Sequence, residues 1–398
     1  MGLAVYIHIP YCLKRCPYCD FNTYAVRDVP EQPYVAAVIR EAAYASQRAP
    51  WAGRSVSTVF LGGGTPSLLS PRSVGLLLEC LDQHFGIEAG AEISLEANPA
   101  TIEGGSAERL SGFRAAGVNR LSIGVQSFND RILATLGRLH DARQARAAVE
   151  VARRVGFDNV SCDLIFAVPG QRRSDWRRDL ECLLELQPEH VSAYGLTYEP
   201  NTPLGRALAD KRVNPVDEAT EAAMYEEAIS LLASAGYRHY EISNFARPGF
   251  QCRHNMTYWT WDDYLGLGAG AHGFHRAAHA KGSGRAPTKK GSCVAVRYAN
   301  LPKPEAYTKA APGRTVEYVE ALDQATAISE FLLLGLRLIE GISLQRFQEL
   351  FGVPLDCDSP SYRFLLRSGF LEQRDGHLRL SRRGLLLADS VIARLAAG

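Results

Sequence analysis

The 398-residue sequence has almost no excess of either charge: 44 Lys and Arg stand against 43 Asp and Glu, a net +1. That balance removes any general attraction to a polyanion, so neither nucleic acid nor an anionic membrane is expected as a standing partner. No apolar run reaches membrane-spanning length, and no basic segment followed by an apolar stretch opens the chain. A cytoplasmic chain without a transmembrane segment is expected, with at most transient membrane association. The nine cysteines are odd in number and three crowd into one loop. That argues against a disulfide framework and for a reducing compartment. The chain's glycine run is not followed by a phosphate-binding lysine, which removes a P-loop. With 46% hydrophobic residues, the length is enough for two or three packed domains.

What is present begins at residue 12. Cys12, Cys16 and Cys19 are spaced C-x3-C-x2-C behind the alternating run Val5-Tyr6-Ile7-His8-Ile9. Pro10 and Pro17 interrupt regular structure there, leaving a loop that can curl its thiols around one centre. Three thiolates on an iron–sulfur cube leave one iron open, since such a cube usually takes four. A half-made zinc site and incidental buried cysteines are the alternatives. No Cys or His follows at finger-like distance to complete zinc's shell.

Strand-like runs recur at 4–9, 56–61, 92–96, 119–125, 158–166 and 190–197. Helix-patterned stretches follow most of them, at 34–47, 73–83, 142–155, 176–186 and 219–235. Parallel strands need such crossovers, so the pattern reads as six βα units, short of the eight of a full barrel. In α/β folds chemistry gathers at the strands' C-terminal ends, and each strand here ends in something polar or glycine-rich. The second runs into Gly62-Gly63-Gly64-Thr65, whose backbone can approach a ligand closely or serve as a plain tight turn. Later strands end at Glu96, Gln126 and Asp163, with Arg138 twelve residues after Gln126. Cys80 and Cys182 fall on helix-patterned stretches and are expected in the core, while Cys252 stands two residues before His254.

Tyr6-Ile7-His8-Ile9-Pro10 followed by the cysteine triad resembles the opening of the radical S-adenosylmethionine (SAM) superfamily. The narrower likeness is to the branch holding oxygen-independent coproporphyrinogen III dehydrogenase and the related haem chaperones. It spans residues from about 4 to 275 and continues more loosely beyond. The resemblance implies a partial (βα)6 TIM-like barrel and a [4Fe–4S] cluster on Cys12, Cys16 and Cys19. It further implies SAM on the open iron, cleaved by an electron from the cluster to a deoxyadenosyl radical. Carried residue by residue, the SAM contacts are Tyr6, Tyr18, Gly63, Gly64, Thr65, Glu96, Gln126, Arg138 and Asp163.

Residues 237–300 leave the repeat and read as an extension after a barrel of residues 1–236. There His254-Asn255-Met256-Thr257-Tyr258-Trp259 gathers metal-capable and aromatic side chains; a packed aromatic loop is the alternative. It resembles the H-N-x-x-Y-W motif of the haem-chaperone branch, which implies haem contacts at His254, Asn255, Tyr258 and Trp259. His272 and His275, after the glycine-rich run 266–270, are positioned to face a large planar ligand as well. Lys281, Arg285, Lys289 and Lys290 lie in an expected exposed loop, solvated or meeting porphyrin propionates. Residues 301–398 give helices at 321–339, 344–351 and 361–367 and an Asp375-Gly376 hairpin, an order that resembles a winged helix.

Three functions follow. One is a haem chaperone that transfers haem to acceptor haemoproteins. Another is the dehydrogenase that decarboxylates coproporphyrinogen III, and the last is a winged-helix redox regulator. The dehydrogenase relatives carry a further cysteine where this chain has Phe21, and a longer segment before the first strand. Both departures, with the H-N-x-x-Y-W motif, favour the chaperone.

Overall fold

The computed structural model describes residues 2–102, 106–277 and 293–396. Lys281, Arg285, Lys289 and Lys290 lie outside the described residues. Six strands run parallel in chain order: β1 (Leu3–Ile9), β2 (Val56–Gly63), β3 (Ile87–Ala97), β4 (Arg120–Gln126), β5 (Val160–Phe166) and β6 (His190–Gly195). Their crossovers include α1 (Glu31–Ser46), α2 (Pro71–Phe85), α3 (Ser106–Ala115), α4 (Ala142–Arg154) and α5 (Arg173–Leu186). The next helix, α6 (Glu218–Ser234), follows β6. One sequence parity on each strand packs outward against these helices: Leu3, Val5, Ile7 and Ile9 of β1 are buried in the main core. The partial (βα)6 barrel expected from the sequence is the architecture observed.

The segment 237–300 is woven into both flanks of this sheet. Strands β7 (Arg238–Glu241) and β8 (Asn244–Ala246) extend it antiparallel beyond β6. The H-N-x-x-Y-W stretch forms a short helix, α7 (Arg253–Trp259). At the opposite flank β9 (Tyr264–Leu267) adds beside β1 as a seventh parallel strand. From it β10 (His272–Arg276), β11 (Ala295–Asn300) and β12 (Val316–Leu322) continue antiparallel to the sheet edge.

A second core belongs to the C-terminal part. There α8 (Gln324–Gly335), α9 (Leu344–Phe351) and α10 (Pro360–Arg367) precede the hairpin β14 (Leu371–Arg374) and β15 (His377–Leu380), with β13 (Ile342–Ser343) paired to β15. This is the winged-helix order, closed by α11 (Ala388–Ala396). Asp375 and Gly376 both take positive φ, as the hairpin turn demands. The helix expected from 321 begins at 324, because Asp323 accepts from the Thr326 N–H and fixes the cap, while Ala321 and Leu322 still pair in β12.

One buried carboxylate joins the β9 flank to the barrel. Glu41 of α1 accepts from the Gly268 N–H (2.9 Å), Asn300 Nδ2 (2.7 Å), Tyr307 OH (2.6 Å) and Thr315 Oγ1 (2.9 Å). A buried donor left without an acceptor costs about 1–3 kcal/mol. Glu41→Ala removes the shared acceptor, leaving Asn300 Nδ2 only the Gly268 carbonyl and the other three donors orphaned, and is expected to lower unfolding free energy by at least about 3 kcal/mol in urea titration. An unchanged midpoint would remove Glu41 from this role.

Candidate functional site at the strand ends

The cysteine loop is pinned at both ends. Tyr11 and Cys12 pair in parallel with Tyr24 and Ala25, and the Cys19 N–H closes a turn on the Cys16 carbonyl at 3.2 Å. Each thiol is free and partly exposed. Each also has its own polar neighbour. Thr65 Oγ1 donates to Cys12 Sγ (3.5 Å) and Arg138 Nη1 to Cys16 Sγ (3.6 Å), while Cys19 Sγ lies 3.9 Å from Thr23 Oγ1. Burial pushes the Cys12 thiol up, and the Thr65 hydroxyl pulls against it. Among the described residues no group of three His, Cys, Asp or Glu side chains is arranged to hold a lone metal ion. Thiolates on the corners of a larger cluster stand further apart than ligands on one ion, so this donor set fits a cluster better than zinc.

The thiols open onto a cavity of about 590 Å³ at the C-terminal ends of the parallel strands. Tyr18, Gly63, Gly64, Thr65, Glu96, Gln126, Arg138 and Asp163 line it with them. Gly64 must be glycine, since a Cβ there would stand 2.6 Å from the Tyr11 carbonyl oxygen. Gly63, at φ +116°, donates its N–H to Glu96 Oε2 (3.0 Å). Burial and then the charge of Asp163 push the Glu96 carboxyl up to about 8. Burial raises Asp163 as well, against the pull of Ser192, Arg120 and Ser122. Two carboxyls held above their usual range gain most from a cation placed between them. Gln126 sits at φ +66°, a conformation that costs a non-glycine residue energy and that recurs at ligand sites. Arg138 Nη2 donates to the Gly124 carbonyl (3.0 Å), while its Nε is buried without a protein partner. Free thiols, two buried carboxyls and the Arg138 side chain lining one cavity fit a cluster and a zwitterionic amino acid.

Two groups of expected site residues stand apart from this wall. Tyr6 points into the barrel below the cavity, donating or accepting at His8 Nδ1 (2.9 Å) and stacking on Phe60. The H-N-x-x-Y-W helix plugs the barrel's other end. His254 is 0% exposed, with Nδ1 on Thr58 Oγ1 (2.9 Å) and Nε2 on Tyr258 OH (2.8 Å), and it stacks on Phe60. Thr58 precedes Gly63 by five residues on β2, about 16 Å at the usual strand rise. Asn255 is half-buried, and Trp259 lies under the Arg337 guanidinium, 4.8 Å from its ring centre. Cys252 is buried against Glu92, its thiol pushed up to about 12.

Sequence reading missed several members. Ser122, Tyr194 and Phe21 line the cavity, and Arg120, 1% exposed, sits beneath it. The signal available was strand parity: Arg120, Ser122 and Gln126 share a face of β4, as Glu92 and Glu96 share a face of β3.

The chain matches the radical SAM superfamily over residues 6–183 and the HemN C-terminal domain over 322–387. Haem chaperone HemW of Escherichia coli K12 is 36% identical, with 98% of this chain and 97% of that protein covered. HemW of Bacillus subtilis is 35% identical over the same shares. The solved structure of E. coli coproporphyrinogen III oxidase (HemN) superposes with a TM-score of 0.78 at 24% identity, covering 99% of this chain and 90% of that one. Among the described residues no helix is long and apolar enough to cross a membrane.

Burial drives the His254 imidazole down to about 3. Its folded value lies below the unfolded one near 6.5, so the folded state refuses a proton that the unfolded chain accepts. Stability from this group is present above pH 6.5 and is lost as the pH falls. From pH 6.5 to 5 the wild type is expected to lose about 2 kcal/mol more unfolding free energy than His254→Gln, at about 1.4 kcal/mol per pH unit. Parallel losses in the two proteins would contradict the neutral, packed imidazole.

Proposed function

The chain belongs to the HemW family of haem chaperones within the radical SAM superfamily, and from that premise we propose that it carries haem to acceptor haemoproteins in the cytoplasm. The reading gives it a [4Fe–4S] cluster held by Cys12, Cys16 and Cys19, with SAM in the adjoining cavity. The carrying observation is that one cavity joins all three thiols to Glu96, Gln126, Arg138 and Asp163. When bound, the cluster supplies an electron to SAM. Glu96 and Asp163 would receive the ammonium of SAM, and the backbone of Gly63 and Gly64 would meet its amino-acid end without a Cβ in the way. Arg138, which donates to Cys16 Sγ, would offset the charge of that ligand. The place of the dehydrogenases' further cysteine holds Phe21, 69% exposed on the cavity rim, so no thiol is offered there.

Anaerobic reconstitution tests the cluster. The Cys12, Cys16 and Cys19 triple alanine variant is expected to lose the brown chromophore and the EPR signal of the reduced cluster. SAM is expected to perturb that signal in the wild type and to bind at least about tenfold more weakly in Glu96→Ala, a loss of about 1.4 kcal/mol. Full iron and sulfide loading in the triple variant would sink the assignment.

Hemin titration tests the cargo. A saturable complex whose haem passes to an apo-haemoprotein is expected, without formation of protoporphyrinogen IX from coproporphyrinogen III, SAM and reductant. Robust conversion would restore the dehydrogenase reading.

A further inference from the structure

We infer that the haem iron is met by His272, at the rim between the cysteine loop and the edge strand, while His254 is a packing residue of the barrel's base. The inference rests on the haem-cargo reading and deepens it by naming the ligand and its site.

An axial ligand needs a neutral imidazole, a ring nitrogen with a free lone pair, and room for a wide planar macrocycle. His254 lacks the last two: both nitrogens are bonded and the ring is enclosed by Phe60, Thr58 and Tyr258. His8 and His190 are likewise bonded through both ring nitrogens. His140 is buried with one nitrogen on the Val125 carbonyl, and His239 is stacked on Phe245. His275 is engaged by the Arg276 carbonyl and packs edge-on to Trp51. His84 and His377 belong to the end of α2 and to the C-terminal hairpin, away from the cavity.

Among the described histidines, His272 alone escapes these objections. It is exposed, and among the described residues neither ring nitrogen has a hydrogen-bond partner. Burial of part of the ring and the Arg297 guanidinium lower its proton affinity, keeping the imidazole neutral. Its face of the sheet is also the right one. Ala4 pairs with Tyr264 and Tyr264 with Phe274, so Tyr6 and His272, each two residues away, point to the same concave side. His272 pairs with Ala299, and Ala299 with Tyr318. The Tyr318 ring, 46% exposed, stands edge-on to the imidazole at 6.3 Å.

The cysteine loop reaches the same rim. Asn22 Nδ2 donates to the Ala269 carbonyl (3.1 Å), three residues before His272, and Phe21 beside it is the exposed aromatic of the cavity wall. Arg15 donates to the Phe21 carbonyl (3.4 Å) and to that of Cys19 (3.2 Å), an exposed cation suited to a propionate. Flat apolar surface, a free imidazole and a cation are what a haem face, its iron and its carboxylate edge each require. Binding is one dative bond from a ring nitrogen lone pair to the iron, with no electron transferred.

The test is hemin titration of the full chain followed by Soret absorbance, with thermal unfolding as the measure of folding. The wild type is expected to give a saturable imidazole-ligated spectrum. His272→Ala is expected to bind on the order of tenfold more weakly with a shifted Soret band. His272→Cys is expected to replace that band with a thiolate-ligated one, which a structural role for His272 would not produce. His254→Gln is expected to keep the wild-type band and affinity while melting lower. A wild-type spectrum and affinity in His272→Ala would overturn the assignment, as would loss of the band in folded His254→Gln. A wild type that does not bind hemin would overturn the haem-cargo reading itself.

Discussion

The carboxylate of Glu92, buried at the N-terminal mouth of the barrel, is the contact from which both flanks of the molecule hang. It accepts the Arg253 N–H (3.1 Å), the His254 N–H (3.1 Å) and the Cys252 thiol (3.7 Å). Three donors at the start of α7 are thereby satisfied by a side chain of β3, as a capping residue would do from within the helix itself. The chain leaving α7 has no freedom to wander: within five residues of Trp259 it is in β9, beside β1. Trp261 enters the second core with Phe274, Phe331 and Phe351. The seventh strand and the C-terminal domain are therefore positioned from the same anchor.

Charge inside the barrel is arranged around Arg120. Its fully buried guanidinium loses its water, and the carboxylates of Glu92 and Asp163 offset that loss. One cation thus serves carboxylates at both ends of the lumen. Asp163, at the cavity end, keeps only part of that support, and Glu96 beside it feels Asp163 more than Arg120. The cavity is left with two carboxyls at its floor whose ionised forms lack a full counter-charge nearby, and donors around its rim. An ammonium group answers the first and a carboxylate or thiolate the second, so a zwitterion has one preferred orientation there.

Much of this was legible in the sequence, for reasons that differ by element. The strands and crossover helices of the barrel declare themselves because each buries one face, leaving period 2 or period 3.6 in the residues. The cysteine triad is legible because its chemistry is local in sequence. β9 was not, because Tyr264-Leu265-Gly266-Leu267 is short and carries a glycine. That glycine is required, since a Cβ would collide with the His272 carbonyl. The packing of His254 was hidden too: its partners Thr58, Phe60 and Glu92 lie far away in sequence, and a polar–aromatic cluster reads alike whether it binds a ligand or fills a core. The lumen's polar members were recoverable from parity alone, Arg120 with Ser122 and Asp163 with Ser161.

The cysteine loop and the rim beyond it are mechanically one unit. Asn22 Nδ2 bridges the Ala269 and Pro302 carbonyls, Tyr24 OH donates to Pro302, and His8 Nε2 engages the Asn22 carbonyl. A bound cluster would hold Cys12, Cys16 and Cys19 in one arrangement and so restrict Phe21 and Asn22, which lie within three residues of Cys19. Asn22 in turn fixes the Gly268–Gly270 turn that leads into His272, where Gly270 at φ +74° leaves no room for a Cβ against the Asn22 amide. The cysteine loop and the segment before His272 are therefore joined by a handful of hydrogen bonds.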